Sequence, residues 1–452
     1  MKKRANWGSR LGFILAAAGS AIGLANIWRF PYMVGSSGGA VFVLIYIFCL
    51  ALIGFPVFIC ELLIGRSSQA NASRSFQRLT GEGVWPKVGK CTILTGFIVS
   101  GFYSAVAGII LGYLFEALKG NLSLLANVES TAHFHSQLVL NPYWTVGFHA
   151  LFMALSTGIL ISGVRSGIER ASKIFMPLLF LILLVLTIKG LTLDGAMDGV
   201  RFLFSPDWSE LTPMVFLLAL GQSFFTLSLG QGTMITYGSY LHKGENLFTT
   251  ALPVVLMDTC VSLIAAVAVF SIVFAAGMHP DGGPSLIFTT LPIVFSQLPG
   301  GDFFAVGFFL LVVIAALTSE ISAMEPSIAY LQEEWGWSRH KATLMVALAV
   351  FSIGIPCTLS FNLLSGWSIF NMNILDLMNF TATSILIPIG GLLAVLYVGW
   401  YWGYTKAIVQ IKTGAEQFFE RFPFLEGYFK FSIKYIAPVL IGLVFLNSLG
   451  VF

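Results

Sequence analysis

The residues best suited to chemistry lie in two short stretches where small and polar residues interrupt long apolar segments. The first stretch, residues 19–26, reads Gly-Ser-Ala-Ile-Gly-Leu-Ala-Asn. The second, residues 222–232, contains Thr226 and Ser228. A helix interrupted at such a stretch exposes N–H groups with partial positive charge at one cut end, where a carboxylate can bind, and C=O groups at the other. Those carbonyls, together with nearby hydroxyls, suit a hard cation such as Na⁺.

Acidic residues inside apolar segments are the second chemical signal, because an ionisable group in lipid is costly and points to function. These acids are Glu61, Asp258, Glu320, Glu325 and Asp376. Asp258 has no Lys or Arg near it in sequence, so it is interpreted either as a ligand of Na⁺ or as a neutral acid bonded to the backbone. Glu61 and Glu325 are interpreted either as functional acids or as caps for the interrupted backbone.

The composition indicates that lipid surrounds most of the chain. Of 452 residues, 57% are hydrophobic and 10% are charged, against roughly 25% charged in a typical soluble domain. The mean hydropathy is +0.86. A net charge of +3 provides no basic surface, which excludes nucleic-acid binding. Basic residues 2–4 before an apolar run are also typical of a signal peptide, but the run continues to Pro31 with no mature start.

Eleven apolar segments are long enough to cross about 30 Å of hydrocarbon as helices. They cover residues 11–32, 38–65, 91–118, 143–162, 171–190, 212–240, 248–277, 302–332, 342–359, 373–402 and 433–451. The runs are continuous and not alternating, which excludes a β-barrel. With a cytoplasmic N-terminus, 20 of the 24 Lys and Arg lie inside, in agreement with the positive-inside rule. We therefore expect an all-α, multi-pass plasma-membrane protein with an extracellular C-terminus.

The two interruptions lie five helices apart at similar depth. Interrupted segments at corresponding places in two halves indicate a transporter built on an inverted repeat, with its site at the breaks. The first repeat would cover residues 9–190 and the second 212–402, with 433–451 outside the repeat, in one transmembrane domain. The alternative is close helix packing through small residues.

Five motifs resemble the neurotransmitter:sodium symporter family. They are WGSRLGFILAAAGSAIGLANIWRFPY (7–32), GGAVF (38–42), ELLIGR (61–66), GQSFFTLSLG (221–230) and YGSY (237–240). The resemblance runs essentially from end to end of the chain, and it is strongest to the bacterial amino-acid transporters of the family. It implies that helices one and six are broken around a substrate site.

The resemblance implies a substrate site in which Tyr103 donates its hydroxyl to a carboxylate that the Leu24 and Ala25 N–H groups share. The full implied set is Ala21, Leu24, Ala25, Val99, Tyr103, Phe225, Thr226, Ser228, Gln231, Ser319 and Ala323.

Two sodium sites and two gates follow from the same resemblance. The first sodium would lie among the Ala21 carbonyl, Asn26, Thr226 and Asp258, and the second among the carbonyls of Gly19, Ile22 and Ala315 and the hydroxyls of Thr318 and Ser319. The inner gate would pair Arg4 with Glu333 near Trp7, Ser239 and Tyr240, and the outer gate would use Arg29. Gly167 and Pro177 match a motif for local unwinding of the fifth helix.

Four positions depart from the family pattern. Ala25 replaces a common Gly, and Gln231 stands where a large apolar residue is usual. Ala323 replaces bulkier aliphatic residues, which lengthens the pocket. Asn379 replaces the acid that usually faces Arg29, so the outer gate would use a neutral hydrogen bond, a water molecule or Asp376.

Chloride dependence is predicted to be absent. Ser262 stands where chloride-dependent relatives use a Ser, but Asp258 lies one helical turn earlier, where those relatives have an Asn. A fixed carboxylate would supply the negative charge that chloride otherwise brings.

The sequence therefore predicts a sodium-coupled symporter that imports neutral α-amino acids by alternating access, with two Na⁺ ions and no organic cofactor. Two alternatives stay open: proton coupling through Asp258 or Glu320, and a membrane receptor or scaffold that does not transport. A membrane enzyme is disfavoured because no catalytic constellation is readable.

Overall fold

Apolar helices form nearly all of this structure, as the composition predicts. The computed structural model describes residues 5–125, 127–278, 287–297 and 300–451. Within those residues there is no β-strand, only an isolated bridge between Ile369 and Met372. The prediction of an all-α membrane fold is confirmed.

The long helices, labelled α1 to α11, follow the predicted segments in order. They are α1 (Arg10–Ala21 and Ala25–Ser36), α2 (Ala40–Ser68), α3 (Trp85–Leu118), α4 (Pro142–Ile161), α5 (Val164–Leu191), α6 (Pro213–Thr226 and Thr233–Gly238), α7 (Leu247–Ala275), α8 (Gly301–Glu334), α9 (Arg339–Leu359), α10 (Ile374–Tyr401) and α11 (Phe424–Ser448). The main short helices between them are Ala72–Thr80, Val128–Leu140, Ala196–Phe204, Thr290–Gln297, Tyr404–Lys412 and Glu416–Arg421. We call the side on which α1 begins the inner side and the opposite side the outer side.

Among the described residues, nine helices are long and apolar enough to cross a membrane, or ten if the bent α1 is one span. The helix that falls short is α6, because its first part, Pro213–Thr226, has only 14 residues. A count of eleven therefore stays a prediction, as do the inverted repeat and its boundaries.

Both predicted interruptions are real breaks in helices. The two parts of α1 are bent by 51°, with Ile22 in an extended conformation. In α6 the helix ends at Thr226 and resumes at Thr233. Between them Ser228, Gly230 and Gly232 have φ angles of 54°, 74° and 73°, a region that L side chains rarely adopt.

The packing places both breaks inside the helix bundle. The first part of α1 contacts α5, α7 and α8, both parts of α6 contact α2, and α3 packs along α8. The Gly230 N–H in the α6 break donates to the Glu61 carboxylate at 2.7 Å. Glu61 therefore caps interrupted backbone, the second of its two interpretations. A Cβ atom at Gly230 would overlap the Ile387 carbonyl oxygen, so α10 also closes against the break.

Candidate functional site

A cavity lies where the two breaks meet α3, α8 and α10. It is lined by Ser20, Ala21, Gly23, Leu24, Ala25, Val99, Tyr103, Phe225, Ser228, Gln231, Ser319, Ala323 and Ile387. Ten of the eleven predicted substrate residues are in this lining, and the eleventh, Thr226, belongs to the buried polar cluster described below. The cavity measures about 40 Å³, room for roughly three water molecules. A larger ligand therefore needs some lining side chains to move outward.

One end of the cavity presents a hydroxyl and bare backbone. The Leu24 N–H donates to the Tyr103 hydroxyl at 3.3 Å. A Cβ atom at Gly23 would overlap the Ser319 hydroxyl and lie 3.0 Å from the Tyr103 hydroxyl. The backbone of the α1 break therefore lies close to both hydroxyls. A hydroxyl beside backbone N–H groups at the start of a helical segment is suited to a carboxylate.

A polar cluster with no exposed surface lies behind this end of the cavity and contains the residues predicted for the first sodium. Asp258 Oδ1 accepts from the Thr226 hydroxyl at 2.9 Å and from the Asn26 amide at 2.7 Å. The Tyr46 hydroxyl donates to Asp258 Oδ2 at 3.2 Å. The Asn26 amide also donates to the Ser262 hydroxyl at 2.8 Å. The structure thus joins Asn26, Thr226 and Asp258, with Ala21 in the adjoining cavity wall.

The orientation of Asn26 matters for this cluster, because a cation needs an oxygen ligand. As placed, the nitrogen of the side-chain amide faces Asp258, and Oδ1 accepts from the Gly23 N–H at 3.0 Å. A rotation of the amide would turn Oδ1 toward Thr226 and Asp258. The oxygens of Asp258 and Thr226 fit Na⁺ without such a change.

The residues predicted for the second sodium converge at the end of the first part of α1. The Ser319 hydroxyl lies 3.3 Å from the Gly19 carbonyl, 3.2 Å from that of Ser20 and 3.5 Å from that of Ile22. The Thr318 hydroxyl donates to the Ala315 carbonyl at 3.0 Å. The Ser20 carbonyl also accepts from the Ser228 hydroxyl at 2.9 Å, but one Ser319 hydrogen cannot satisfy both the Gly19 and the Ile22 carbonyls, whereas a cation among these oxygens can. This group of neutral oxygens therefore fits Na⁺.

On the inner side, aromatic rings cover the start of α1. Trp7 is buried, its N–H donates to the Tyr240 carbonyl at 3.2 Å, and its indole donates to the Tyr237 carbonyl at 3.1 Å. Its ring meets those of Phe13, Tyr237 and Tyr240 edge to face. Trp7 and Tyr240 are thus together, as predicted.

The predicted inner ion pair is described only on one side, because Arg4 lies outside the described residues. Glu333 accepts from the backbone and side-chain N–H groups of Asn71, at 2.9 and 3.1 Å. A second acid, Glu325, forms two 2.7 Å hydrogen bonds with Arg339 and accepts from the Tyr240 hydroxyl. Glu325 therefore holds an ion pair across the inner side and does not cap the broken backbone.

Glu169 holds the start of α1 against α5. Its carboxylate accepts from the Gly8 N–H at 2.6 Å, the Ser9 hydroxyl at 3.0 Å and the Lys173 ammonium at 2.6 Å. It lies two residues after Gly167, at the start of α5 where the local unwinding is predicted. The N-terminal segment is thus tied to the predicted mobile end of α5.

On the outer side, Arg29 lies over an aromatic ring. Its guanidinium carbon is 4.6 Å from the centre of the Phe225 ring, and Phe225 lines the cavity. Asn379 and Asp376 are exposed. In the described part of the chain, neither forms a hydrogen bond or ion pair with Arg29. The outer contact is thus cation–π, a possibility that the sequence interpretation did not include.

The sequence interpretation missed three cavity residues and most inner contacts. Ser20 and Gly23 lie within the first interrupted stretch and could have been included, since residues beside a break face the same space. Ile387 is an apolar residue in an apolar segment and carries no signal of its own. Glu169 acts through a partner 161 positions away, and Arg339 pairs with Glu325 across the turn between two helices, neither of which spacing reveals.

The sequence of this chain is similar to those of one family of known proteins. The profile of the sodium:neurotransmitter symporter family matches residues 4–138 and 144–452. The chain is 39% identical to the uncharacterized sodium-dependent transporter YhdH of Bacillus subtilis, over 100% of this chain and 99% of that protein. It is 28% identical to the sodium-dependent dopamine transporter of Bos taurus, over 99% of this chain and 69% of that protein.

A solved structure is similar over the whole fold. The crystal structure of MhsT in complex with L-phenylalanine superposes with a TM-score of 0.89 at 41% identity. The match covers 99% of this chain and 100% of that one.

Proposed function

Because the chain belongs to the sodium:neurotransmitter symporter family, whose members are transporters and not enzymes, we propose that it imports neutral α-amino acids together with Na⁺. Transport by alternating access would expose the cavity first to one side of the membrane and then to the other. The N-terminus would be cytoplasmic and the C-terminus extracellular, in a plasma membrane.

The main support for this proposal is the group of carbonyl and hydroxyl oxygens at the end of the first part of α1. Three carbonyls lie 3.2–3.5 Å from the Ser319 hydroxyl, beside the Thr318 hydroxyl. The carbonyl end of a helix has partial negative charge, and the ligands are all neutral oxygens. This arrangement supports binding of a monovalent cation that is carried with the substrate.

The proposed substrate class follows from the two ends of the cavity. Tyr103 and the Leu24 N–H offer an anchor for a carboxylate. Among the residues that the structure describes, the lining contains no Lys, Arg, Asp or Glu, so the side chain of the substrate would be neutral. The crystal structure of the relative MhsT with L-phenylalanine supports an α-amino acid.

Coupling would arise because the substrate carboxylate and the first sodium are neighbours. The Leu24 N–H group that would bind the carboxylate lies two residues from Asn26, which belongs to the Asp258 cluster. If both ligands occupy this place, each increases the affinity for the other by the same factor.

Chloride independence is proposed from the surroundings of Asp258. Its two oxygens accept only from neutral donors, namely Asn26, Thr226 and Tyr46. Among the described residues no Lys or Arg forms an ion pair with it. A carboxylate held in this way can balance a sodium charge, so a chloride ion nearby would be both redundant and repelled.

The proposal is tested by uptake of a panel of amino acids into proteoliposomes. A Na⁺ gradient should drive accumulation of neutral amino acids, and replacement of Cl⁻ by gluconate should have no effect. Accumulation driven by a pH gradient without Na⁺ would favour proton coupling, and no accumulation under any gradient would favour a receptor.

Two variants test the proposed ion sites in the same uptake assay. The double variant T318A/S319A should require a much higher Na⁺ concentration for uptake. The control variant S352A, which changes an exposed Ser, should behave as wild type. The variant D258N should lose uptake or acquire a chloride requirement through Ser262. Wild-type uptake that collapses in gluconate would contradict the assigned role of Asp258.

A further inference from the structure

The side-chain amide of Gln231 is buried beside the cavity without a hydrogen-bond partner. The residue is 6% exposed and belongs to the cavity lining. Its Oε1 atom is buried and unpartnered, and within the described residues no hydrogen bond reaches its Nε2 atom. Buried amides are nearly always hydrogen-bonded, because leaving one unpaired is destabilising. We therefore expect the hydrogen-bond partner of the Gln231 amide to belong to the molecule that binds in the cavity.

The backbone of Gln231 is held firmly, so its side chain starts from a fixed point. A Cβ atom at Gly96 of α3 would lie 2.9 Å from the Gln231 carbonyl oxygen and 3.2 Å from that of Ala323 in α8. The α6 break, α3 and α8 therefore touch at this level. Ala323 is small, which leaves space for a ligand next to the Gln231 amide.

Gln231 lies at the far end of the cavity from the carboxylate anchor. Along α3, Gly96 precedes Tyr103 by seven residues, which is about 10 Å of helix. Along α8, Ala323 follows Ser319 by four residues, about 6 Å, and Ser319 lies beside the anchor. A substrate whose carboxylate is bound at Tyr103 would therefore extend its side chain toward Gln231.

We propose that Gln231 makes the transporter prefer neutral amino acids whose side chains end in a hydrogen-bonding group. This inference rests on the proposed function and specifies its substrate class. The amide carries both a donor and an acceptor, so a hydroxyl, an indole N–H or another amide can each pair with it. An apolar side chain would fill the same space and leave the amide buried and unpaired.

Other lining residues away from the carboxylate anchor are less suited to supply this preference. Val99, Phe225, Ala323 and Ile387 have apolar side chains, and the Ser228 hydroxyl already donates to the Ser20 carbonyl. A site that pairs with a polar group discriminates against the analogue that lacks it. For a single hydrogen bond to a neutral amide we expect a preference of about tenfold.

The experiment compares matched pairs of amino acids as competitors of Na⁺-driven uptake. The pairs are Tyr with Phe, Thr with Val, and Gln with Met, which differ in polarity far more than in size. In the wild type, the polar member of at least one pair should compete about tenfold better. In the variant Q231M, that ratio should fall about tenfold. The variant Q137M, which changes an exposed Gln in the helix Val128–Leu140, should keep the wild-type ratio.

The outcomes separate this inference from the function on which it rests. Uptake of an apolar amino acid by Q231M shows that the variant is folded, so a reduced ratio then reports on the amide itself. If no neutral amino acid is taken up with Na⁺, the proposed function fails. If uptake occurs but the apolar member competes equally well in every pair, or Q231M keeps the ratio, the proposed role of Gln231 is wrong.

Discussion

On the inner side of the cavity acids are paired with bases, whereas on the outer side Arg29 rests on the ring of Phe225. Inside, Glu325 is unexposed and holds Arg339 through two 2.7 Å hydrogen bonds. Outside, the cation lies 4.6 Å from the ring centre. Removing one partner of a buried ion pair costs about 3–5 kcal/mol, whereas removing a cation from a ring costs about 0.5–2 kcal/mol. We therefore expect the outer contact to be the weaker of the two.

The difference between the inner and outer contacts agrees with the residue at position 379, where this chain departs from the family pattern. The resemblance implies an acid that faces Arg29, and this chain has Asn379 at the corresponding position. With no acid to pair, Arg29 keeps its contact with Phe225, a residue of the cavity wall. A change in the cavity can therefore affect the outer contact directly, whereas the Glu325–Arg339 pair contacts Tyr240.

The largest effect is expected from E325Q. The change leaves Arg339, which is 15% exposed, without a carboxylate, and should destabilise the inner side by about 3 kcal/mol. The thermal midpoint should fall, and hydrogen exchange in residues 237–241 should accelerate. The control E334Q removes the more exposed pair of Glu334 with Arg74 and should cost less than about 1 kcal/mol. Equal losses of stability in E325Q and E334Q would contradict the view that a strong buried ion pair holds the inner side.

A smaller effect is expected from E169Q, which weakens the anchor of the N-terminal segment. Glu169 accepts charge-assisted hydrogen bonds from Gly8 and Ser9, together worth about 2 kcal/mol. Hydrogen exchange at residues 8–12 should accelerate, and release of substrate to the inner side should become faster. E129Q, at an exposed acid in the helix Val128–Leu140, is the matched control. Unchanged exchange in E169Q would show that this carboxylate is not the anchor.

On the outer side R29M should have a modest effect, because it removes only the cation–π contact. The expected loss is about 1 kcal/mol, which corresponds to a several-fold faster release of bound substrate to the outer side. Release is measured by dilution of labelled substrate from protein in proteoliposomes. A larger effect for R29M than for E325Q would reverse the ranking of the two sides.

The smallest effect is expected from N379D, which restores the acid of the family pattern. Asn379 is exposed, so a new pair with Arg29 should contribute less than about 1 kcal/mol and be screened by salt. Outer release should slow by a few-fold at low ionic strength and recover in high salt. Faster release in N379D would contradict this assignment of position 379.

The helices were predictable from the sequence because lipid selects for long apolar runs. Their ends were less predictable, because a helix continues past the hydrocarbon on hydrogen bonds alone. Thus α3 begins at Trp85, with Pro86 in its first turn, and α11 begins at Phe424, nine residues before the predicted segment. Hydropathy therefore indicates which residues lie in lipid, but it does not show where the backbone hydrogen bonds of a helix begin and end.

The cavity was predictable because part of its lining lies in the two interrupted stretches, and because the family resemblance implied other lining residues such as Val99, Tyr103 and Ser319. The contacts that close it were not, because they join residues far apart in the chain. Gly8 and Glu169 are separated by 161 positions, and the Arg29–Phe225 contact links α1 to α6. Glu325 and Arg339 are nearer in sequence, but only the turn between α8 and α9 brings them together.

Equilibrium binding shows whether substrate and sodium share one coupled site. Affinity for the preferred amino acid is measured over a series of Na⁺ concentrations, with K⁺ keeping the ionic strength constant, and Na⁺ affinity is measured with and without substrate. We expect substrate affinity to rise with Na⁺ and both affinities to change by the same factor. Equal substrate affinity in K⁺ and in Na⁺ would contradict it.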